Sequence, residues 1–369
     1  MFDVVEGALQ IRGRHKGRAL HVQHDGTLWI SVRLAILRSR DSGTGWQRVT
    51  LMPSSLPRRL ASTVRLASRL LRHEVKALAV LSDGTIIAVD RRAVYRARPG
   101  ERVMQAASIE DDRGREVWAP MRIAVGPNDR VVWGEYGGRS RHGMSVRLFV
   151  SDDSGGSYQI AHTFKGGTFR HVHNIIYDAG VHGYWLLVGD HADEPGIGLL
   201  SEDLKHVEWV AKGQQRYRAV NVFDFGDRLL YGTDTEKEPN AVMSLEKATG
   251  RTERLQEVDG SCIYACRFGA FYFLSTSVEP SEVNKNDKAT LWCSKDGDRW
   301  QPVYQAPKDR WDHRYFQFGS LVLPGGESDC ETMMFSGQAL KGIDGRVLVG
   351  RMALDGQAMG RGDSQGSSR

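Results

Sequence analysis

The sequence predicts an all-β fold in which short four-stranded sheets repeat around an axis. Three observations carry this. Seven hairpin-like segments recur along the 369 residues, about 43 to 59 residues apart. A second, distinctive turn recurs in step with them. No apolar run reaches the roughly 18–20 residues that span a bilayer. Each hairpin-like segment is an apolar run, a polar or glycine turn, and a second apolar run, as an antiparallel strand pair requires.

In chain order the segments begin with "LHVQHDGTLWISV" and "LAVLSDGTIIAVD". "IAVGPNDRVVWGEY", "IIYDAGVHGYWLLVGD" and "NVFDFGDRLLYGTD" follow, and "ACRFGAFYFLSTS" and "VLPGGESDCETMMFSG" complete the series. Four strands per repeat at this period is the pattern of a β-propeller, seven-bladed on the hairpin count and six-bladed if a terminal repeat is atypical. The last strand, "GRVLVGRMAL" (345–354), is expected to complete a blade with the start of the chain, so residues 1–354 read as one propeller domain. Residues 355–369, "DGQAMGRGDSQGSSR", are polar and glycine-rich and read as a disordered tail. The Arg-Gly-Asp triplet in it reads as accidental.

One stretch breaks the series. "LPRRLASTVRLASRLLRHE" (56–74) places Leu60, Val64, Ala67 and Leu71 at helical spacing, with Arg58, Arg59, Arg65, Arg69 and Arg72 mostly on other faces. Such a helix could bind an anionic polymer, a membrane surface or a partner. The favoured reading is a helical insertion packed by its apolar stripe, with its arginines in solvent. No stacking-aromatic motif accompanies the basic residues, so nucleic acid is not expected as a partner.

The bulk numbers describe an ordinary water-soluble chain: 40% hydrophobic, 26% charged, formal charge +5. No signal peptide is legible in "MFDVVEGALQIRGRHKGRAL". Cys262, Cys266, Cys293 and Cys330 lack zinc-type pairing and are expected as free thiols in the cytoplasm.

The second turn is Ser-x-Asp-x-Gly-x-x-Trp. "SRDSGTGW" (39–46) fits it, "SDDSGGSY" (151–158) fits with Tyr158 for Trp, and "SKDGDRW" (294–300) is one residue short. "SEDLKHVEW" (201–209) keeps Ser201, Asp203 and Trp209 without the glycine. Physically, the Asp caps turn amides, Gly takes a positive φ, and the aromatic fills the space between strands. These turns resemble the Asp-boxes of sialidase-type, or BNR-repeat, β-propellers. Joining third and fourth strands, they fall on the face opposite the one where inner strands begin.

On that other face, the beginning of each inner strand meets the end of the second strand. Residues there converge on one channel mouth. The beginnings offer Arg122, His171 and His173, Gln215 and Arg218, and His313 and Arg314; the ends offer Glu135, Tyr136, Asp190, His191 and Asp234. Strand alternation sends His171 and His173 to one side, about 6.5 Å apart.

Residues 133–234 also resemble bacterial BNR-repeat proteins described as sialidase-like or glycosyl-hydrolase-like, which implies carbohydrate as the ligand. Three functions follow. A glycoside hydrolase would use carboxyls among Glu135, Asp190 and Asp234, with Tyr136 as an auxiliary nucleophile and Arg122 and Arg218 holding an acidic sugar. A polysaccharide lyase would use a His or Tyr base, with Arg or a divalent metal neutralising the enolate-like charge. The metal ligands would be His171, His173, Gln215 and His313, which resemble in type the His/Gln cluster of oligogalacturonate-acting propeller lyases. A glycan- or protein-binding propeller without chemistry is the third. The expectation is an enzyme acting on an oligo- or polysaccharide, hydrolase slightly ahead of lyase.

Overall fold

In the computed structural model the described residues are 5, 7–91, 93–110, 116–137 and 143–353. The expected tail, 355–369, lies outside them, as does Leu354 at the expected domain end. The fold is a β-propeller. Its inner strands are Arg18–Val22, Ala77–Val80, Ala124–Val125, Val172–Asp178, Phe223–Asp224, Cys262–Phe268 and Gly319–Val322. Each starts an antiparallel sheet running outward in chain order, for example Val172–Asp178, Gly183–Val188, Gly196–Ser201 and Val207–Lys212. The sheets that begin at Cys262 and Gly319 join into one eight-stranded sheet through Ser277↔Ser320 and Val278↔Gly319. Counting that sheet as two blades gives seven among the described residues, numbered here one to seven from Arg18.

Blade seven takes its outer strand from the start of the chain. Leu9–Lys16 pairs antiparallel with Arg346–Met352, from Leu9↔Met352 to Lys16↔Arg346. The ring is therefore closed by backbone hydrogen bonds between the two ends of the fold. Between blades the core is aromatic and aliphatic. Trp133 stacks on Phe149 at 4.3 Å and meets Tyr158 edge-on at 5.6 Å, all three fully buried.

The four Asp-box turns share one hydrogen-bond pattern. In each, the Ser hydroxyl bonds the Asp carboxylate: Ser39–Asp41 at 2.6 Å, Ser151–Asp153 at 2.7 Å, Ser201–Asp203 at 2.5 Å and Ser294–Asp296 at 3.2 Å. Turn amides then donate to the same carboxylate, as Gly156 and Ser157 do to Asp153 at 2.9 Å. Where the other copies have Gly43, Gly155 and Gly297 at positive φ, the glycine-less copy holds Leu204 at φ 63.

The insertion departs from expectation. It forms two short helices, α1 (Leu56–Ala61) and α2 (Arg65–Leu70), rather than one, and it sits the other way round. Leu56, Leu60 and Val64 are 68%, 62% and 56% exposed, while Arg69 is 1% exposed; Arg59 and Arg72 are exposed, as expected. Carboxylates on the blades cause the inversion. Arg58 pairs with Asp90 at 2.6 Å, Arg65 with Asp344 at 2.7 Å and with Glu74, and Arg69 with Asp309 at 2.5 Å and the Phe316 carbonyl. A helical wheel sees the apolar stripe but not the acids waiting on another sheet. No helix among the described residues is long and apolar enough to cross a membrane.

Candidate functional site

The antiparallel pairing Val172↔Val188 lays the start of blade four's inner strand beside the end of its second strand. A bulge between Val172 and Asn174 leaves His173 as the extra residue and turns it, so that its ring comes within 5.0 Å of the His171 ring. Gly189, at φ 89, then swings the chain so that Asp190 faces both imidazoles. Gly134 has its own reason to lack a side chain: a Cβ there would lie 2.5 Å from Val172, the strand carrying the histidines.

Both imidazoles commit Nδ1 to a backbone carbonyl, His171 to Gly137 at 2.7 Å and His173 to Ala219 at 3.0 Å. A carbonyl only accepts, so each Nδ1 carries the proton and, in a neutral ring, Nε2 is left with a lone pair. Those two Nε2 atoms face Asp190, at 3.4 Å from Oδ2 and 3.1 Å from Oδ1. Burial lowers the His171 pKa despite Asp190, which favours the neutral ring. Nitrogen lone pairs facing a carboxylate leave a place for a shared cation, and His171 Nε2 is buried with no hydrogen-bond partner.

Asp190 is held from every side. Burial alone would raise its pKa, but the adjoining His171 and His173 outweigh it and keep it well below the usual carboxylate range. Arg170 reaches Oδ2 at 2.8 Å and Arg218 reaches Oδ1 at 3.2 Å. Arg218 also faces Asp234 at 3.4 Å and Glu236 at 3.9 Å. Burial raises the Asp234 pKa against the pull of Arg218, and its Oδ1 is buried without a hydrogen bond. Glu279 is pushed up to about 8 by burial and then by the charge of Asp234. The Tyr136 ring lies 4.2 Å from that of His171, and its phenol is raised by burial, then by Asp190, Asp234 and Glu279.

The expected residues thus divide. Tyr136, His171, His173, Asp190, Arg218 and Asp234 come together, and half-buried His191 follows Asp190 at the rim. Glu135 does not open onto this cluster. It is fully buried, paired with Arg147 at 2.9 Å, and accepts from the Arg147 and Trp118 backbone at 3.0 and 3.3 Å. Gln215 supports Asp190 rather than offering a ligand atom: its amide donates to the Asp190 carbonyl at 3.1 Å and accepts from Thr235 at 3.3 Å. His313 and Arg314 lie on α3 (His313–Phe316), where His313 stacks on Phe318 at 5.0 Å and Arg314 pairs with Asp312 at 2.6 Å. Among the described residues the His, Cys, Asp and Glu donors that converge are His171, His173 and Asp190, with ligating atoms within 4.8 Å of one another; Asp190 thus joins the two expected histidines, and His313 is not among them.

Arg122 sits lower, its guanidinium 4.9 Å over the Tyr264 ring, lining the channel below the mouth. That channel has a volume of about 790 Å³. Around Arg122 the mouth turns basic. Arg18 donates to the Tyr264 hydroxyl at 3.1 Å, and Lys76 is pushed down to about 8 by burial and then by Arg18, Arg91 and Arg72. Sequence reasoning missed Arg170, Lys76, Arg18 and Glu279. Glu279 directly follows the second strand of blade six (Phe271–Val278), and Arg18 and Lys76 stand at the start of inner strands, so the same positional rule reaches all three.

No protein-family model matches the chain, and no curated protein sequence matches it. Solved structures do. A virginiamycin B lyase from Staphylococcus aureus superposes with a TM-score of 0.57 at 12% identity, covering 94% of this chain and 100% of its own. An oligogalacturonate lyase in complex with manganese gives 0.58 at 10%, covering 92% and 90%. YCF48 from Cyanidioschyzon merolae gives 0.56 at 11%, covering 94% and 99%. This chain is similar to all three in fold, and membership of the sialidase or BNR-repeat family does not follow from the likeness.

Proposed function

We propose that the protein is a carbohydrate-active enzyme, a metal-assisted lyase that cleaves an acidic oligo- or polysaccharide at the channel mouth. One observation carries the reading: two imidazoles, each fixed through Nδ1 to a carbonyl, present Nε2 to one carboxylate. Metal-binding histidines are held in this way, the outer hydrogen bond setting the tautomer. Imidazole and carboxylate donors together suit zinc, iron, nickel or manganese. Arg170 and Arg218 would share Asp190 with such an ion. When bound, a divalent cation here supplies charge to stabilise a uronate carboxylate as it becomes enolate-like.

The chain's own residues provide the rest. Arg122, with Arg18 and Lys76 on the basic side, orients the substrate's carboxylate. Asp234, with a free buried oxygen and a raised pKa, takes the proton next to that carboxylate. The bond to the departing sugar oxygen breaks as the ring double bond forms. Tyr136, protonated at neutral pH, gives that oxygen its proton. The oligogalacturonate lyase of similar fold, in complex with manganese, agrees with this reading. The reading places lyase ahead of hydrolase because Glu135 is consumed by Arg147, and Asp190 by Arg170, Arg218 and the ion it would share with the two imidazoles.

A hydrolase remains the second reading, favoured by Glu279: a carboxyl with a pKa of about 8 beside Asp234 can act as a general acid. Incubation with uronate-containing oligosaccharides, with added manganese or zinc and with chelator, distinguishes them. Elimination gives an ultraviolet-absorbing product that chelator and His173→Ala abolish. New reducing ends without that absorbance make the protein a hydrolase, and unchanged substrates across neutral and acidic panels overturn both.

A further inference from the structure

A second site lies on the same face, between blades seven and one, roofed by α1 and α2. It is a cavity of about 260 Å³ that shares no lining residue with the His171–Asp190 cluster. Lys16, Arg18, Arg33, Arg65 and Arg346 line it against two carboxylates, Glu74 and Asp344, an excess of three positive charges. The two acids are engaged: Arg65 pairs with both. Arg18 gives one Nη to Gln338 at 2.6 Å and the other to Tyr264 and lies 3.8 Å from Glu74, while its Nε is buried without an acceptor. Lys16, Arg33 and Arg346 make no ion pair among the described residues; Lys16 and Arg346 are cross-strand partners at the ends of paired strands, and Arg33 stands on a separate turn at the same rim.

We infer that this cavity binds a tetrahedral oxyanion, a phosphate or sulfate group carried by a small ligand. Cations gathered around a concave wall repel one another, and an anion between them removes that repulsion. Guanidinium forks match the paired oxygens of phosphate and sulfate better than they match a single carboxylate oxygen on a crowded sugar. The volume exceeds that of a bare ion, which leaves room for the sugar or other small group that carries it. Because Ser62, Thr63, Arg65 and Ser68 of the insertion line the cavity, a bound anion also ties the helices to the ring. Arg18 also serves the lyase reading, so the inference is tested through Lys16, Arg33 and Arg346, which that reading does not use.

Isothermal titration at low ionic strength tests it, with inorganic phosphate, inorganic sulfate and glucose 6-phosphate as probes and glucose as the neutral control. The expected result is saturable binding of the anions and none of glucose. Affinity falls at least tenfold in Arg33→Ala/Arg346→Ala and in Lys16→Ala, and is unchanged in His173→Ala. Tighter binding of glucose 6-phosphate than of phosphate assigns the ligand as an ester; equal binding assigns the bare ion. All three basic positions are exposed, so the variants should fold, and their unfolding midpoints without anion check it. Absence of binding to the wild type, or equal affinity in the rim variants, overturns the inference.

Discussion

Replacing Glu135 by alanine separates a structural carboxylate from a catalytic one. Glu135 and Arg147 are both 0% exposed, joined at 2.9 Å. Removing one member of such a pair leaves a buried charge uncompensated, at a cost of about 3–5 kcal/mol. The same carboxylate accepts from the backbone of Arg147 and Trp118, each bond contributing about 1 kcal/mol. Glu135→Ala should therefore lose about 4 kcal/mol or more in urea-induced unfolding, with the slope unchanged. Replacing both partners by apolar residues, Glu135→Leu with Arg147→Met, should recover most of that loss, because the desolvation penalty goes with the charges. A Glu135→Ala protein with wild-type stability and no turnover would refute the argument and return Glu135 to the catalytic set.

Three further outcomes follow. Lys76 stands below its ordinary 10.5 at about 8, mainly through burial. Its charged form is thus disfavoured in the fold below pH 8, and the penalty fades between pH 8 and 10.5 as the native state alone releases the proton. A drop of this size sets a ceiling of roughly 3 kcal/mol, less for a partly exposed group, so Lys76→Met should gain about 1–2 kcal/mol at pH 7 and little at pH 10. Denaturation at both pH values checks this, and a larger gain at pH 10 contradicts it. Asp153→Ala removes the acceptor for Gly156, Ser157 and Ser151 and should cost about 1–2 kcal/mol by thermal unfolding, with ligand binding at the opposite face unchanged. Deleting residues 1–16 removes the strand paired along Arg346–Met352 and leaves that edge open, at about 1 kcal/mol for each ladder hydrogen bond lost. Calorimetry should then show a broadened transition well below that of the full chain.

The repeat was legible because each blade must bury two faces with strands of period two and turn back through Gly or Asp. Those demands are local and leave marks every few dozen residues. Tyr136, His171, His173, Asp190, Arg218 and Asp234 were legible for a related reason: strand order alone decides which ends meet. What stayed hidden depended on partners in other segments. Arg147 neutralises Glu135 from the neighbouring strand, and Asp90, Asp309 and Asp344 pull the insertion's arginines inward from three blades. The bulge that turns His173 toward His171 left no turn residue to announce it. Glu279 differs, since the positional rule applied to blade six would have found it.

The strand Leu9–Lys16 is made more than three hundred residues before its partner Arg346–Met352. The earlier strand must wait, unpaired, for the later one. Until then blade seven offers a bare edge to any passing strand, so the nascent chain is most exposed to misassembly just before its final turn emerges. Once the two meet, neither end can peel away without opening the whole circle, and a fold assembled from small separable sheets comes to melt as one body.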